Sequence, residues 1–321
     1  MRDVPRLYIA IPCYNEREVL PVTMPLFRDK LAQLVADWLC SADSRVLHVN
    51  DGSKDGTWDL IRAAAAEYPE VEGVCLSRNR GHQNALLCGL SEALSCGCDC
   101  AISIDCDGQD DLGAMDEMLR HYAGGADVVY GVRSDRTSDS WFKRTTAQGF
   151  YKVMAAMGVE SVYNHADYRL MSARALEGLL DLPEVNLFLR GMVPLVGYES
   201  ATVTYVRHER MAGESHYPLS KMVGLAVDGI TSLSVKPIRL ITMFGLFVAF
   251  ASFIGAIWTL VTWAMGNAIS GWTSMMVAMF FLGGVQLTAL GVIGEYVGKT
   301  YLETKRRPRW VVSARTYEDE P

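Results

Sequence analysis

The 321-residue chain has no excess of positive charge. Its 30 Lys and Arg against 37 Asp and Glu give a net charge of −7, so nothing in the composition points to nucleic acid as a partner. No Gly-x-Gly-x-x-Gly follows the first apolar segment, which argues against a dinucleotide-binding oxidoreductase. The opening residues carry no apolar signal segment: Leu7–Ile11 is too short and leads into a globular pattern. Eight cysteines are present, but Cys96, Cys98 and Cys100 alternate without a second Cys/His pair nearby, which is not a zinc pattern. A cytoplasmic domain keeps such thiols reduced. Internal repeats and low-complexity stretches are missing too.

Charge is absent altogether from Leu240–Met265 and from Thr273–Gly294. Each run exceeds the ~20 residues needed to cross a bilayer. Core helices rarely run so long without a charge, so two buried helices are the weaker alternative. Trp272 and Tyr296 suit an interfacial belt. Lys236 and Arg239 precede the first run, and Lys299, Lys305, Arg306, Arg307 and Arg309 follow the second. Positive flanks mark the cytoplasmic side, so the expectation is one hairpin through the cytoplasmic membrane with both termini inside. A transporter or channel would need charged residues in its spans, facing a pathway.

The first two thirds read as a globular α/β domain. Apolar strands are expected at Leu7–Ile11, Arg45–Val49, Val71–Leu76, Cys100–Ile104 and Ala126–Tyr130, and a late one at Val203–Arg207. Helical spacing fills Val19–Leu39, Trp58–Glu67, Gln83–Leu94 and Met115–Tyr122. That alternation implies a mostly parallel sheet with helices on both faces, and ligands beyond the strands' C-terminal ends. The expected division is a catalytic domain over 1–218 and a juxtamembrane helix over 219–235. Two membrane helices follow within 236–298 (about 240–265 and 273–297), then a basic tail over 299–321. Whether the 219–235 helix lies on the membrane or faces a core is open.

Polar clusters fall at the strand ends. Asp105 and Asp107, one residue apart after the fourth strand, can both reach one cation. Carboxylates plus substrate phosphates suit Mg2+ or Mn2+, and Gln109 adds an oxygen or a hydrogen bond to the ligands. Alone the triplet is equally a solvated turn or a helix cap. Asp51-Gly52-Ser53 follows the second strand; Asp51 offers an acceptor to a base or ribose, or caps the next helix.

Ile11-Pro12-Cys13-Tyr14-Asn15-Glu16, Val49-Asn50-Asp51-Gly52-Ser53 and Ile104-Asp105-Cys106-Asp107, in that order, resemble the inverting family 2 glycosyltransferases of GT-A fold. Ala166-Asp167-Tyr168-Arg169, Arg190-Gly191 and Arg210–Leu219 resemble the polyprenyl-phosphate subgroup, and Gly294–Pro308 its two-span bacterial members. The resemblance covers essentially the whole chain. It implies that Pro12, Tyr14, Asn15, Glu16, Asp51 and Ser53 serve the nucleotide, and that Asp105, Asp107 and Gln109 serve the metal. Arg133 and Arg144 would face the acceptor phosphate, Arg210, Gly213, Ser215 and His216 would form an acceptor loop, and Asp167 would be the usual general base. A lipid phosphate with a second pKa near ~6 needs positioning more than deprotonation, which leaves the role of Asp167 open.

Two departures stand out. His216 replaces a usual Lys, and a histidine titrates near ~6.5 where a lysine stays charged. Asp110-Asp111 replaces a usual Asp-Pro-Pro stretch, so the turn loses its proline stiffness. The expected reaction moves a sugar from a UDP- or GDP-sugar, UDP-glucose favoured, to undecaprenyl or similar polyprenyl phosphate with inversion. A GDP-mannose-using mannosyltransferase and a processive polysaccharide synthase are the alternatives; the synthase's Gln-x-x-Arg-Trp motif is missing. Related two-span enzymes imply a homo-oligomer, a tetramer.

Overall fold

The computed structural model describes residues 2–134, 157, 165–208, 230–232, 234–265 and 271–317. Arg144, Arg210, Gly213, Ser215, His216 and most of the juxtamembrane segment 219–235 lie outside the described residues.

Eight strands form one sheet: β1 Leu7–Cys13, β2 Arg45–Asn50, β3 Val71–Leu76, β4 Cys100–Ser103, β5 Val128–Arg133, β6 His165–Ser172, β7 Ser200–Tyr205 and β8 Val312–Arg315. Their spatial order is β7-β5-β6-β4-β1-β2-β3-β8. β1 is parallel to β2 and β4, β2 to β3, and β5 to β7. β6 enters antiparallel between β4 and β5, and β8 pairs antiparallel with β3. All seven residues of β1 are buried, as a central parallel strand covered on both faces requires.

The helices are α1 Leu20–Ala36, α2 Thr57–Glu67, α3 His82–Ser95, α4 Ala114–Ala123, α5 Ala173–Leu180 and the single turn α6 Leu189–Met192. α1 buries Leu20, Met24, Phe27, Leu31 and Leu34, a stripe at helical spacing that packs with Ile61 of α2 and Met115 and Met118 of α4 on one face of the sheet. α3 and α5 cover the other face through Leu86, Leu90, Leu176 and Leu179. α3 lies so close to the sheet that a Cβ on Gly89 would meet Val49 Cγ2 at 2.8 Å. Only glycine lets that helix down.

α7 Lys236–Ala264 and α8 Trp272–Lys305 follow. Both are long and apolar enough to cross a membrane. Leu246, Phe247, Phe250 and Leu287 are each at least 66% exposed, which rules out their being buried core helices. After α8 the chain returns to the sheet as β8, and Arg315 and Tyr317 bind Glu92 of α3 at 2.6–2.8 Å.

The sequence expected no strand at 165–172 and none in the tail. β6 carries Arg169 in its buried centre, which breaks the apolar run that marks an internal strand. β8 is a four-residue edge strand beside a basic stretch. β7 begins and ends earlier than expected because Val203 and Tyr205 face inward while Thr202 and Thr204 face out.

Candidate active site

The loops after β1, β2, β3 and β4 meet at one end of the sheet. Those after β1 and β2 are laced together by main-chain amides. Asn15, at φ 54°, donates its N–H to Ser53 Oγ (2.9 Å), and its Oδ1 accepts from Lys54 N–H (3.0 Å). Glu16 N–H donates to Thr57 Oγ1 (2.9 Å), and Arg17 N–H to Asp55 (3.0 Å). Tyr14 stands out from this lattice, 46% exposed.

Asp51 is 2% exposed, and its carboxylate accepts from the N–H groups of Arg80 (2.6 Å) and Gly81 (2.9 Å). It thus binds the loop after β3 rather than capping α2, where Asp55 accepts from Thr57. Burial pushes its carboxyl up, against the pull of those amides and of His82 and Arg80. Gly52 has φ 63°, and a Cβ there would lie 2.4 Å from the Arg78–Asn79 backbone. The close approach the glycine permits is therefore to the protein's own chain.

Asp105 keeps a third of its side chain exposed, whereas Asp107 is buried with an oxygen accepting from Gln109 N–H (3.1 Å). The side-chain oxygen of Gln109 accepts from Arg207 (2.5 Å) and its amide nitrogen donates to His208 O (3.3 Å). It is turned to β7's extension and occupied there, so the protein's acidic donors are the two aspartates. Among the described residues no group of three or more His, Cys, Asp and Glu is placed to hold a metal. Two carboxylates are a donor set that Mg2+ and Mn2+ accept, because those ions are held through one or two carboxylates plus substrate phosphates rather than by full protein cages.

Beside Asp105 lies a charged cluster that joins distant parts of the chain. His82 Nε2, at the start of α3, is 3.6 Å from both Asp105 and Asp167. Asp167 on β6 also accepts from Arg169 (2.5 Å) and Arg190 (3.2 Å). Burial alone would raise the Asp167 carboxyl, but Arg190, the His82 hydrogen bond and Arg169 together hold it well below the usual carboxylate range. Burial opposes a charge on His82, yet the bond to Asp167 and the charge of Asp105 carry it up to about 9, although 45% of its side chain is open. Arg169 is 1% exposed and donates onward to Leu189 O (3.5 Å). A carboxylate held this way is an anchor for cations; it makes a poor proton acceptor.

The cluster lines a cavity of about 290 Å³ whose wall includes Arg80, His82, Gln83, Asp167, Phe188 and Arg190. Arg133 stands nearby on β5, with Nε 3.4 Å from Tyr205 Oη and Nη2 3.8 Å from Asp110, to which Tyr205 donates (2.7 Å). Burial and Asp105 push the Asp110 carboxyl up.

Sequence reasoning missed His82 and Arg80 as site residues, and it quoted Arg169 and Arg190 in motifs without giving either a place in the site. The strand-end rule would have found both of the missed residues, since Ser77–Gln83 follows β3 as the other polar clusters follow β1, β2 and β4. Arg169 lies two residues from Asp167 on β6, whereas Arg190 meets it only through the fold.

Residues 8–180 match the family described as glycosyl transferase family 2, and residues 236–300 match the GtrB C-terminal hairpin. A Bacillus subtilis protein, "Uncharacterized glycosyltransferase YkoT", is 45% identical over 98% of this chain and 94% of its own. The "Bactoprenol glucosyl transferase" of Shigella phage SfX is 39% identical over 97% of this chain and 99% of its own. Among solved structures, the mannosyltransferase PcManGT from Pyrobaculum calidifontis in complex with GDP-Man and Mn2+ aligns with 89% of this chain and 87% of its own, at 17% identity and a TM-score of 0.43.

Proposed function

This chain belongs to glycosyl transferase family 2 and has the GT-A fold, and on that premise we propose that it moves glucose from UDP-glucose to a polyprenyl phosphate such as undecaprenyl phosphate, with inversion, at the cytoplasmic face of a membrane. The observation that carries this reading is the pairing of Asp105 and Asp107 with a cationic cavity at the same end of the sheet. The hairpin match and the exposed apolar helices support an acceptor that lives in the bilayer. The bactoprenol glucosyl transferases at 38–39% identity support glucose as the sugar.

Asp105 and Asp107 would hold the Mg2+ or Mn2+, whose chemistry is to neutralise the leaving diphosphate. The lattice of Asn15, Glu16 and Ser53 fixes the loops around the nucleotide, with Tyr14 exposed toward it. In the displacement an acceptor phosphate oxygen bonds the anomeric carbon while the bond from that carbon to the donor's diphosphate breaks. The acceptor is already an anion near neutral pH, so no base has to remove a proton. Asp167 instead would hold His82 and Arg190 in place beside the sugar, and Arg133 would lend its charge to the acceptor phosphate.

The test is a panel of radiolabelled nucleotide sugars given to the full chain with undecaprenyl phosphate and Mn2+, followed by lipid extraction. Label from UDP-glucose should enter the lipid fraction. Label from GDP-mannose alone would replace the donor, and no labelled lipid from any donor would overturn the reaction.

A further inference from the structure

The C-terminal end of α8 is fastened to the wall of the cavity. Glu303, in its last turn, accepts at both carboxylate oxygens from Val185 N–H (2.9 and 2.8 Å). It also accepts from Asn186 N–H (2.9 Å) and Asn186 Nδ2 (2.7 Å). Those two residues lead directly into Leu187, Phe188 and Arg190, which line the cavity. Six residues beyond Glu303, the Arg309 guanidinium donates to Leu182 O, at the other end of the same stretch. Inside the cavity the stretch is tied by Leu189 N–H to Gln83 Oε1 (2.9 Å).

Hydrogen bonds to a carboxylate are about twice as strong as neutral ones, so Glu303 is a firm anchor for a segment with no regular structure before α6. Its own helix is one of the two that are long and apolar enough to cross a membrane. Main chain, carboxylate and helix therefore form one mechanical unit from bilayer to cavity.

We propose that Glu303, assisted by Arg309, is a positioning residue: it sets the 182–190 wall, and with it the guanidinium of Arg190 on Asp167, relative to the membrane that delivers the acceptor. The proposal rests on the reading of the cavity as part of the sugar-transfer site. It adds a residue outside the sheet domain's motifs, on the helix that carries the chain to its lipid substrate.

The experiment is amide hydrogen exchange on the full chain in lipid nanodiscs, for the unaltered protein, Glu303→Ala and Glu303→Gln, alongside steady-state transfer from UDP-glucose. Exchange at Val185 and Asn186 should rise at least about tenfold in the alanine variant while β1 and β4 stay unchanged, with glutamine intermediate because it keeps one acceptor oxygen. Transfer should fall about tenfold in kcat/KM for alanine and recover substantially for glutamine. Unchanged exchange at 185–186 overturns the anchor. Faster exchange there with unchanged kcat/KM overturns the positioning role, and faster exchange across the whole sheet reduces Glu303 to a stabilising residue. If the unaltered chain transfers no sugar, the proposed reaction falls, and the exchange data still decide the anchor.

Discussion

The two halves of the site are built on opposite principles. The loops after β1 and β2 are joined by short, mostly neutral bonds between main-chain amides and nearby side chains, as from Asn15 to Ser53 and from Glu16 to Thr57. The Asp167 cluster is held by charges brought from α3, β4, β6 and α6, with Arg169 buried beneath it. A neutral lattice loses its strength one bond at a time, at about 1 kcal/mol each. A buried charge cluster does not, because removing one member leaves its partner uncompensated in a poor solvent. In the proposed reaction the first half would frame the nucleotide and the second would set the electric field for the group being transferred.

Substitutions at four positions test that contrast, taken in order of expected effect. Asp105→Asn sits between the halves and should lower kcat by at least about 10³-fold with the fold intact by circular dichroism, as loss of charge stabilisation at the leaving group predicts. Arg169→Leu should destabilise by about 3–5 kcal/mol in urea unfolding, and Arg169→Leu with Asp167→Leu should regain part of it. Additive losses in that double variant would erase the distinction between the halves.

Asp167→Asn comes third, with kcat/KM down about 10²-fold. The loss should not shrink between about pH 6 and 8.5, since a carboxyl held well below its ordinary range is ionised throughout that window, and it should grow toward the alkaline end as His82, no longer held up by Asp167, gives up its charge. For the same reason the stability this group contributes is complete above the ordinary carboxylate range and disappears only as pH falls through its lowered folded value. A loss that vanishes toward alkaline pH would restore the general-base assignment. Asn15→Ala should cost least, about 1 kcal/mol, and Asn15→Gly should keep the left-handed turn while losing only the Oδ1 bond to Lys54.

The same contrast explains what the sequence made legible. β1 to β4 and their four helices appeared within a few residues of their observed bounds, because their apolar spacing is local and Asp51, Asp105 and Asp107 punctuate it at strand ends. The donor-side motifs were legible for the same reason. β6 was not, since a strand with arginine at its centre makes sense only once Asp167, Arg190 and Leu189 are seen around it. Gln109 reads as a metal neighbour by spacing, yet Arg207, nearly a hundred residues later, occupies its oxygen. His82 was hidden by the absence of a motif around it, although its place after β3 was predictable.

β8 sets the order in which the molecule can be finished. It supplies the outer neighbour of β3, but it is made only after both apolar helices have left the ribosome. Until then β3 shows an unpaired edge, the kind of template on which chains aggregate. Residues so far apart in sequence close late, because the entropy of the intervening loop must be overcome first. The bonds from Glu303 to Val185 and Asn186 and from Arg309 to Leu182 shorten that search by holding the end of α8 beside the sheet domain. Closing the sheet is thus among the last folding events, and a chain cut short before β8 is left with an open edge, exposed to the proteases and chaperones that clear unfinished proteins.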